Sequence, residues 1–156
     1  MLTLIRPAGP IEAVIPPAGV VLRAPSPDDT LELGRLYFAS YEPGAASATE
    51  DEAIDDINLS FAGEYGPLNL TISQLAGVGE QLVGALLVVE RAPWPDTPDC
   101  PFVIELFTAP THRRLGIASA LLTHAVAVSS SPLALRVAPT NTVARGLYER
   151  LGFQEG

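Results

Sequence analysis

At 156 residues the chain suits one domain with one core, since a second core would be undersized. Its net charge of −9 argues against a nucleic-acid partner, and no apolar run approaches the ~20 residues of a membrane span. A single cysteine, Cys100, excludes an intrachain disulfide and any multi-cysteine metal site, so no metal and a cytoplasmic location are the expectations.

Residues 1–19 are rich in proline and apolar residues and are expected to form an irregular arm with one short strand. Arg6, Pro7, Pro10 and Glu12 interrupt any continuous apolar stretch there, so it makes a poor signal peptide. Residues 20–156 are expected to form the domain proper. Val20 to Arg23 reads as its first strand. Ser26-Pro27-Asp28-Asp29 is a helix start, with a serine cap, proline at the first position and acid in the first turn. Leu31, Leu33, Leu36 and Tyr37 give that helix an apolar side. Thr49 and Glu52 form a second capping box, opening a helix with Ile54, Ile57, Leu59 and Phe61 to bury.

Glu42, Glu50, Asp51, Glu52, Asp55, Asp56 and Glu64 follow one another with no basic residue among them. This is the pattern of a solvated acidic helix face, and its field also suits a cationic substrate. Leu68 to Leu75 alternates as a strand, Gly77 to Glu80 reads as a hairpin turn, and Gln81 to Glu90 as a strongly apolar strand. A proline-rich loop, 92–101, leads to another strand, Phe102 to Thr108.

After that strand come a turn with Pro110, the basic pair Arg113-Arg114, Gly116 and an apolar helix. A helix start there leaves several backbone N–H groups without an intrahelical partner. The helix dipole adds about half a positive charge, so an anion is bound well at such a point. Further on, Leu133, Leu135 and Val137 alternate as a strand. Asn141 or Thr140 can cap the next helix, which carries Ala144, Leu147, Tyr148 and Leu151 on one face and ends at Gly152.

The run Arg113-Arg114-Leu115-Gly116-Ile117-Ala118 fits the pattern Gln/Arg-x-x-Gly-x-Gly/Ala. It resembles the pyrophosphate-binding loop of the GCN5-related N-acetyltransferase (GNAT) superfamily. Asn141, Ala144, Tyr148, Leu151, Gly152 and Phe153 resemble the second signature of the same superfamily, in its order and at its separation. The resemblance implies an α/β (α+β) fold with a mixed sheet flanked by helices. It also implies transfer of an acetyl group from acetyl-CoA to an amine acceptor by direct attack.

The same resemblance implies a role for each matching residue. The backbone of Phe107 and Thr108 runs beside the pantetheine arm, and the loop Arg113, Arg114, Leu115, Gly116, Ile117, Ala118 and Ser119 surrounds the pyrophosphate. Asn141 hydrogen-bonds the cofactor. Tyr148 protonates the departing thiolate, and Glu105 is the candidate base. The alternative for Tyr148 is a core residue with its hydroxyl at the rim, and for Glu105 a solvent-facing strand residue opposite Ile104 and Leu106. The alternative function is a non-catalytic acyl-CoA-binding module with the same fold. Relatives continue after Leu-Gly-Phe into longer strands, whereas this sequence stops at Gly156, so its C-terminal strands read as truncated. The sheet edge this leaves is expected to be covered by the arm or by a second copy, the latter making a homodimer.

Overall fold

The computed structural model describes residues 1–42 and 44–156. Its centre is a seven-stranded mixed sheet in the order β2-β3-β4-β5-β6-β1-β7. The strands are β1 Leu2–Arg6, β2 Val20–Arg23, β3 Gln74–Val78, β4 Gln81–Val89, β5 Phe102–Thr108, β6 Leu133–Val137 and β7 Gln154–Glu155. All neighbours are antiparallel except β5 and β6. Helices α1 (Thr30–Ala39) and α2 (Glu50–Ala62) cover one face, where Leu33, Tyr37, Ala53 and Ile57 pack with Leu75, Leu87 and Phe107. Helix α3 (Ile117–Val128) fills the other face with Leu121, Leu122 and Ala125 against Val83, Leu86 and Leu135, and α4 (Thr142–Arg150) lies partly buried on the same cluster. Among the described residues no helix is long and apolar enough to cross a membrane.

The helix starts obey their local chemistry. Ser26 and Asp29 form a reciprocal capping box around a 3-10 turn at Pro27–Asp29, which runs into α1. The Thr49 side chain accepts from the Glu52 amide at the head of α2, and Asn141 from the Ala144 amide at the head of α4. The buried faces differ in detail from the expected ones. Leu31 and Leu59 are exposed, because α2 turns Ala53, Ile57 and Ser60 inward and α1 turns Leu33, Gly34 and Tyr37. At the crossing, a Cβ on Gly34 would stand 2.4 Å from the Ile54 Cα, so only glycine permits this approach.

Two strands depart from the expected positions. The alternating stretch from Leu68 begins as a turn, with β3 starting only at Gln74. Asn69 is the cause: its side-chain oxygen accepts from the amides of Thr71 and Ile72, and its carbonyl accepts from Ser73. At the other end of the sheet, β1 pairs with β6 over five residue pairs, from Leu2↔Val137 to Arg6↔Leu133, and two-residue β7 pairs with the far side of β1. Leu4 is buried among Leu133, Leu135 and Phe153. The following segment is tied down by Arg6, which donates to the Leu151 and Pro10 carbonyls, and by the Val14 amide, which donates to the buried Thr123 hydroxyl at 3.0 Å.

Candidate functional site

Strands β5 and β6 are paired in register only at Phe102↔Ala134, at the start of each strand. Beyond that point they diverge, and a cleft of about 700 Å³ opens between the end of β5, the start of α3 and α4. On its other side β5 keeps its ladder with β4, including Ala85↔Phe107, and the Ala109 amide donates to Val83. Antiparallel alternation therefore turns the backbone groups of Phe107 toward β4 and those of Leu106 and Thr108 toward the cleft. Phe107 lines the cleft, but its backbone is engaged elsewhere. Leu106 is the edge residue that reading the strand alone could not distinguish.

After β5 the chain makes a 3-10 turn at Pro110–His112 and enters α3 through Gly116, whose φ is +83°. Arg114 shares this left-handed region with a φ of +63°. No side chain caps α3, so the amides of Ile117, Ala118 and Ser119 have no intrahelical acceptor and the glycine leaves space in front of them. Arg113, Arg114, Gly116, Ile117, Ala118 and Ser119 all line the cleft. Leu115 does not, and its side chain is about half exposed. The Arg113 guanidinium donates to the carbonyl of Ser40, at the C-terminus of α1, where the helix dipole favours a cation.

Across the cleft stand Asn141, Ala144, Leu147 and Tyr148 of the α4 segment. Tyr148 packs edge-to-face on Phe153 at 6.0 Å, and burial holds its phenol above the usual tyrosine value, so it carries its proton at neutral pH. The Asn141 side chain, an uncapped helix start and a partly buried phenol lining one cleft suit a phosphorylated, strand-like ligand. His112 also lines the cleft, at its rim.

Glu105 does not line the cleft. It faces the α1/α2 side of the sheet opposite Leu87, and it is half-buried. Burial first, and then the charge of Asp56, push its carboxyl up to about 8, against an opposing hydrogen bond from Tyr37. Ile104 was expected to face away from it. A register shift at Leu87/Val88 leaves Ile104 extra to the ladder and turns it onto the same side, packed against the clusters of α1, α2 and Phe102. Most of the acidic run on α2 is solvent-exposed, including Asp51, Glu52 and Asp55. Asp56 is the exception, accepting a hydrogen bond from the Tyr65 hydroxyl, and the Tyr65 ring stacks on Trp94 at 6.2 Å.

Sequence reasoning missed Ser40, Tyr41 and Leu106 as cleft residues. The four-residue spacing of Tyr37 and Tyr41 was the available signal, since it puts both rings on one side at the end of α1.

The model of the acetyltransferase (GNAT) family matches residues 31–153. The chain belongs to the GNAT family. No curated protein matches it significantly. Among solved structures it is similar to the GCN5-related N-acetyltransferase of Sphaerobacter thermophilus, with 18% identity and a TM-score of 0.71. That likeness covers 99% of this chain but 48% of the other, so this chain spans about half its length. It is also similar to the aminoglycoside N-acetyltransferase AAC(6')-Iy in complex with CoA, with 18% identity, a TM-score of 0.65 and 90% and 93% of the two chains covered. A third is PH1933 of Pyrococcus horikoshii, with 19% identity, a TM-score of 0.69 and 86% and 88% covered. At these identities the structures establish the GNAT fold, a seven-stranded mixed sheet with four helices among the described residues.

Proposed function

We propose that this GNAT protein is an acyl-CoA-dependent N-acyltransferase that moves an acetyl group from acetyl-CoA to a primary amine by direct attack. The observation that carries the reading is the uncapped start of α3 at Gly116, which opens into the same cleft as the free edge of β5 and the Tyr148 phenol. The chain's residues fit the donor. The amides of the Arg113–Ser119 loop would hold the pyrophosphate, and the Leu106 amide and the Thr108 edge groups would bond the pantetheine arm as a neighbouring strand would, the Leu106 carbonyl already accepting from the Tyr41 hydroxyl at 3.5 Å. Asn141 keeps its capping bond to Ala144 at 3.2 Å and still lines the cleft, so it can contact the donor without releasing the helix.

Bound acetyl-CoA supplies a thioester carbonyl as the electrophile. Tyr148 gives its proton to the sulfur as the carbon–sulfur bond breaks. Glu105 takes one proton from the acceptor's ammonium, which frees the lone pair that forms the carbon–nitrogen bond, and the second proton that the nitrogen loses as the amide forms returns to the Tyr148 oxygen. A carboxyl displaced to about 8 is a far better base for this than one near 4.5, because it comes closer to the amine's own affinity for protons. Asp56 and the exposed acids of α2 draw a cationic acceptor to that side. The N-terminal segment before residue 20 and the domain after it are proposed to act as one folded unit, and the cytoplasm as the place of action.

The second reading, a non-catalytic acyl-CoA-binding module, is favoured by one fact: Glu105 lies outside the cleft. Thiol release from acetyl-CoA with a panel of amines decides between the two. Amine-dependent release supports the enzyme. Binding of acetyl-CoA without release by any amine supports the module.

A further inference from the structure

Residues 7–19 join β1, near one end of the sheet, to β2 at the other, and the chemistry above gives them no task. The segment is pinned along its length. Arg6 donates to the carbonyls of Pro7, Gly9 and Pro10 at its start, and the Val20 amide donates to Pro17 at its close. In between it lies on α3. Ile11 packs against the cluster that holds Leu121, Leu122 and Ala125. The Val14 amide donates to the Thr123 hydroxyl, which is fully buried and itself donates to the Ala120 carbonyl at 3.3 Å. The half-buried Val14 side chain reaches the head of the helix. Among the described residues, and outside the chain neighbours of Gly116, the nearest atom that a Cβ there would meet is a Val14 γ-methyl, at 3.9 Å.

That contact falls on a backbone that cannot hold itself. Arg114 and Gly116 are both left-handed, at φ +63° and +83°, and a residue with a long side chain rarely adopts that region. A residue held there is strained and keeps its conformation only where its surroundings over-determine it. The loop has two such holds. Arg113 grips the Ser40 carbonyl at its start, and Val14 stands against Gly116 where it becomes helix. We infer that Val14 is a positioning residue for the donor, holding the loop in the conformation that aims the amides of Ile117, Ala118 and Ser119 at a pyrophosphate. The inference rests on the reading of the Arg113–Ser119 loop as the pyrophosphate site. Val14 does not line the cleft, so it acts through Gly116 and not by touching the donor. Without its methyls the loop relaxes toward unstrained backbone, and affinity falls by the fraction of molecules that keep the binding form.

Calorimetry on the full chain tests this with two ligands: acetyl-CoA, and S-acetylpantetheine, which carries the thioester arm but no phosphate. The proteins are the parent, Val14→Ala and Val14→Ile, each checked for an intact fold by urea unfolding. Val14→Ala should bind acetyl-CoA ~5–100-fold more weakly, the range set by freeing one strained residue, and S-acetylpantetheine as the parent does. Val14→Ile keeps both γ-carbons and should retain the parent's affinity for acetyl-CoA. Neither readout needs turnover, so a protein that binds without acylating any amine still decides the point. A Val14→Ala protein that binds acetyl-CoA as tightly as the parent overturns the inference. So does one that loses affinity for both ligands alike, which marks a general loosening of the fold. If the parent itself binds acetyl-CoA no better than S-acetylpantetheine, the loop is not the pyrophosphate site, and that reading falls with this inference.

Discussion

Replacing Glu105 with glutamine should move stability and activity in opposite directions, each with its own pH dependence. The carboxyl is half-buried against Tyr37 and under the influence of Asp56, and it titrates near 8 instead of 4.5. The folded protein therefore holds this proton more tightly than the unfolded chain. The stability it contributes is fully present below about 4.5 and is lost as the pH rises through about 8. One pKa unit corresponds to about 1.4 kcal/mol, which sets a ceiling of roughly 4–5 kcal/mol on that loss. Water at a half-buried carboxyl screens part of it, so about 2–3 kcal/mol is expected. Glutamine has no such titration. In urea unfolding, Glu105→Gln should thus gain about 2–3 kcal/mol on the parent between pH ~5 and pH ~8.5. Activity should go the other way. The parent's kcat/KM should rise about tenfold per pH unit up to a break near 8, and the variant should lose ~10²–10⁴-fold. The reasoning is refuted if the stability difference is the same at both pH values, or if the rate breaks near 4.5.

Three further variants test separate parts of the site and fold. Gly116→Asp should weaken CoA binding at least ~100-fold by setting a carboxylate against the pyrophosphate, whereas Gly116→Asn, which tolerates the left-handed backbone at φ +83°, should bind more tightly than the aspartate variant; equal affinities by calorimetry would remove the loop as the anion site. Tyr148→Phe should lower kcat by ~10²–10⁴-fold with little change in the Michaelis constant for acetyl-CoA, and a turnover within a few-fold of the parent would end its role as proton donor. Leu4→Ala, in a side chain only 2% exposed, should cost about 2–5 kcal/mol of unfolding free energy; a cost below about 1 kcal/mol would mean that β1 adds little to the sheet.

Features written within a few residues are legible in the sequence itself. The caps at Ser26, Thr49 and Asn141, the left-handed glycines 116 and 152, and the apolar runs of β4 and β5 all act through neighbouring backbone groups, so local sequence was enough to determine them. The same locality made the donor loop readable, because the strand, the glycine and the uncapped helix start are consecutive. What depends on pairing between distant segments was not readable. The direction of Ile104 follows from a register shift against β4. The late start of β3 is a different case, a local signal that the alternating pattern masked: Asn69 competes for the backbone groups of the next four residues. The insertion of β1 between β6 and β7 joins segments about 150 residues apart, where burial of Leu4 against Leu135 and Phe153 and the bond from Arg6 to the Leu151 carbonyl hold the partners. The site divides along the same line. Glu105 and Tyr148 could be named from their strand and helix, but Tyr41 enters the cleft only because α1 ends beside β5, a placement made by tertiary packing at Gly34 and by the hold of Arg113 on Ser40.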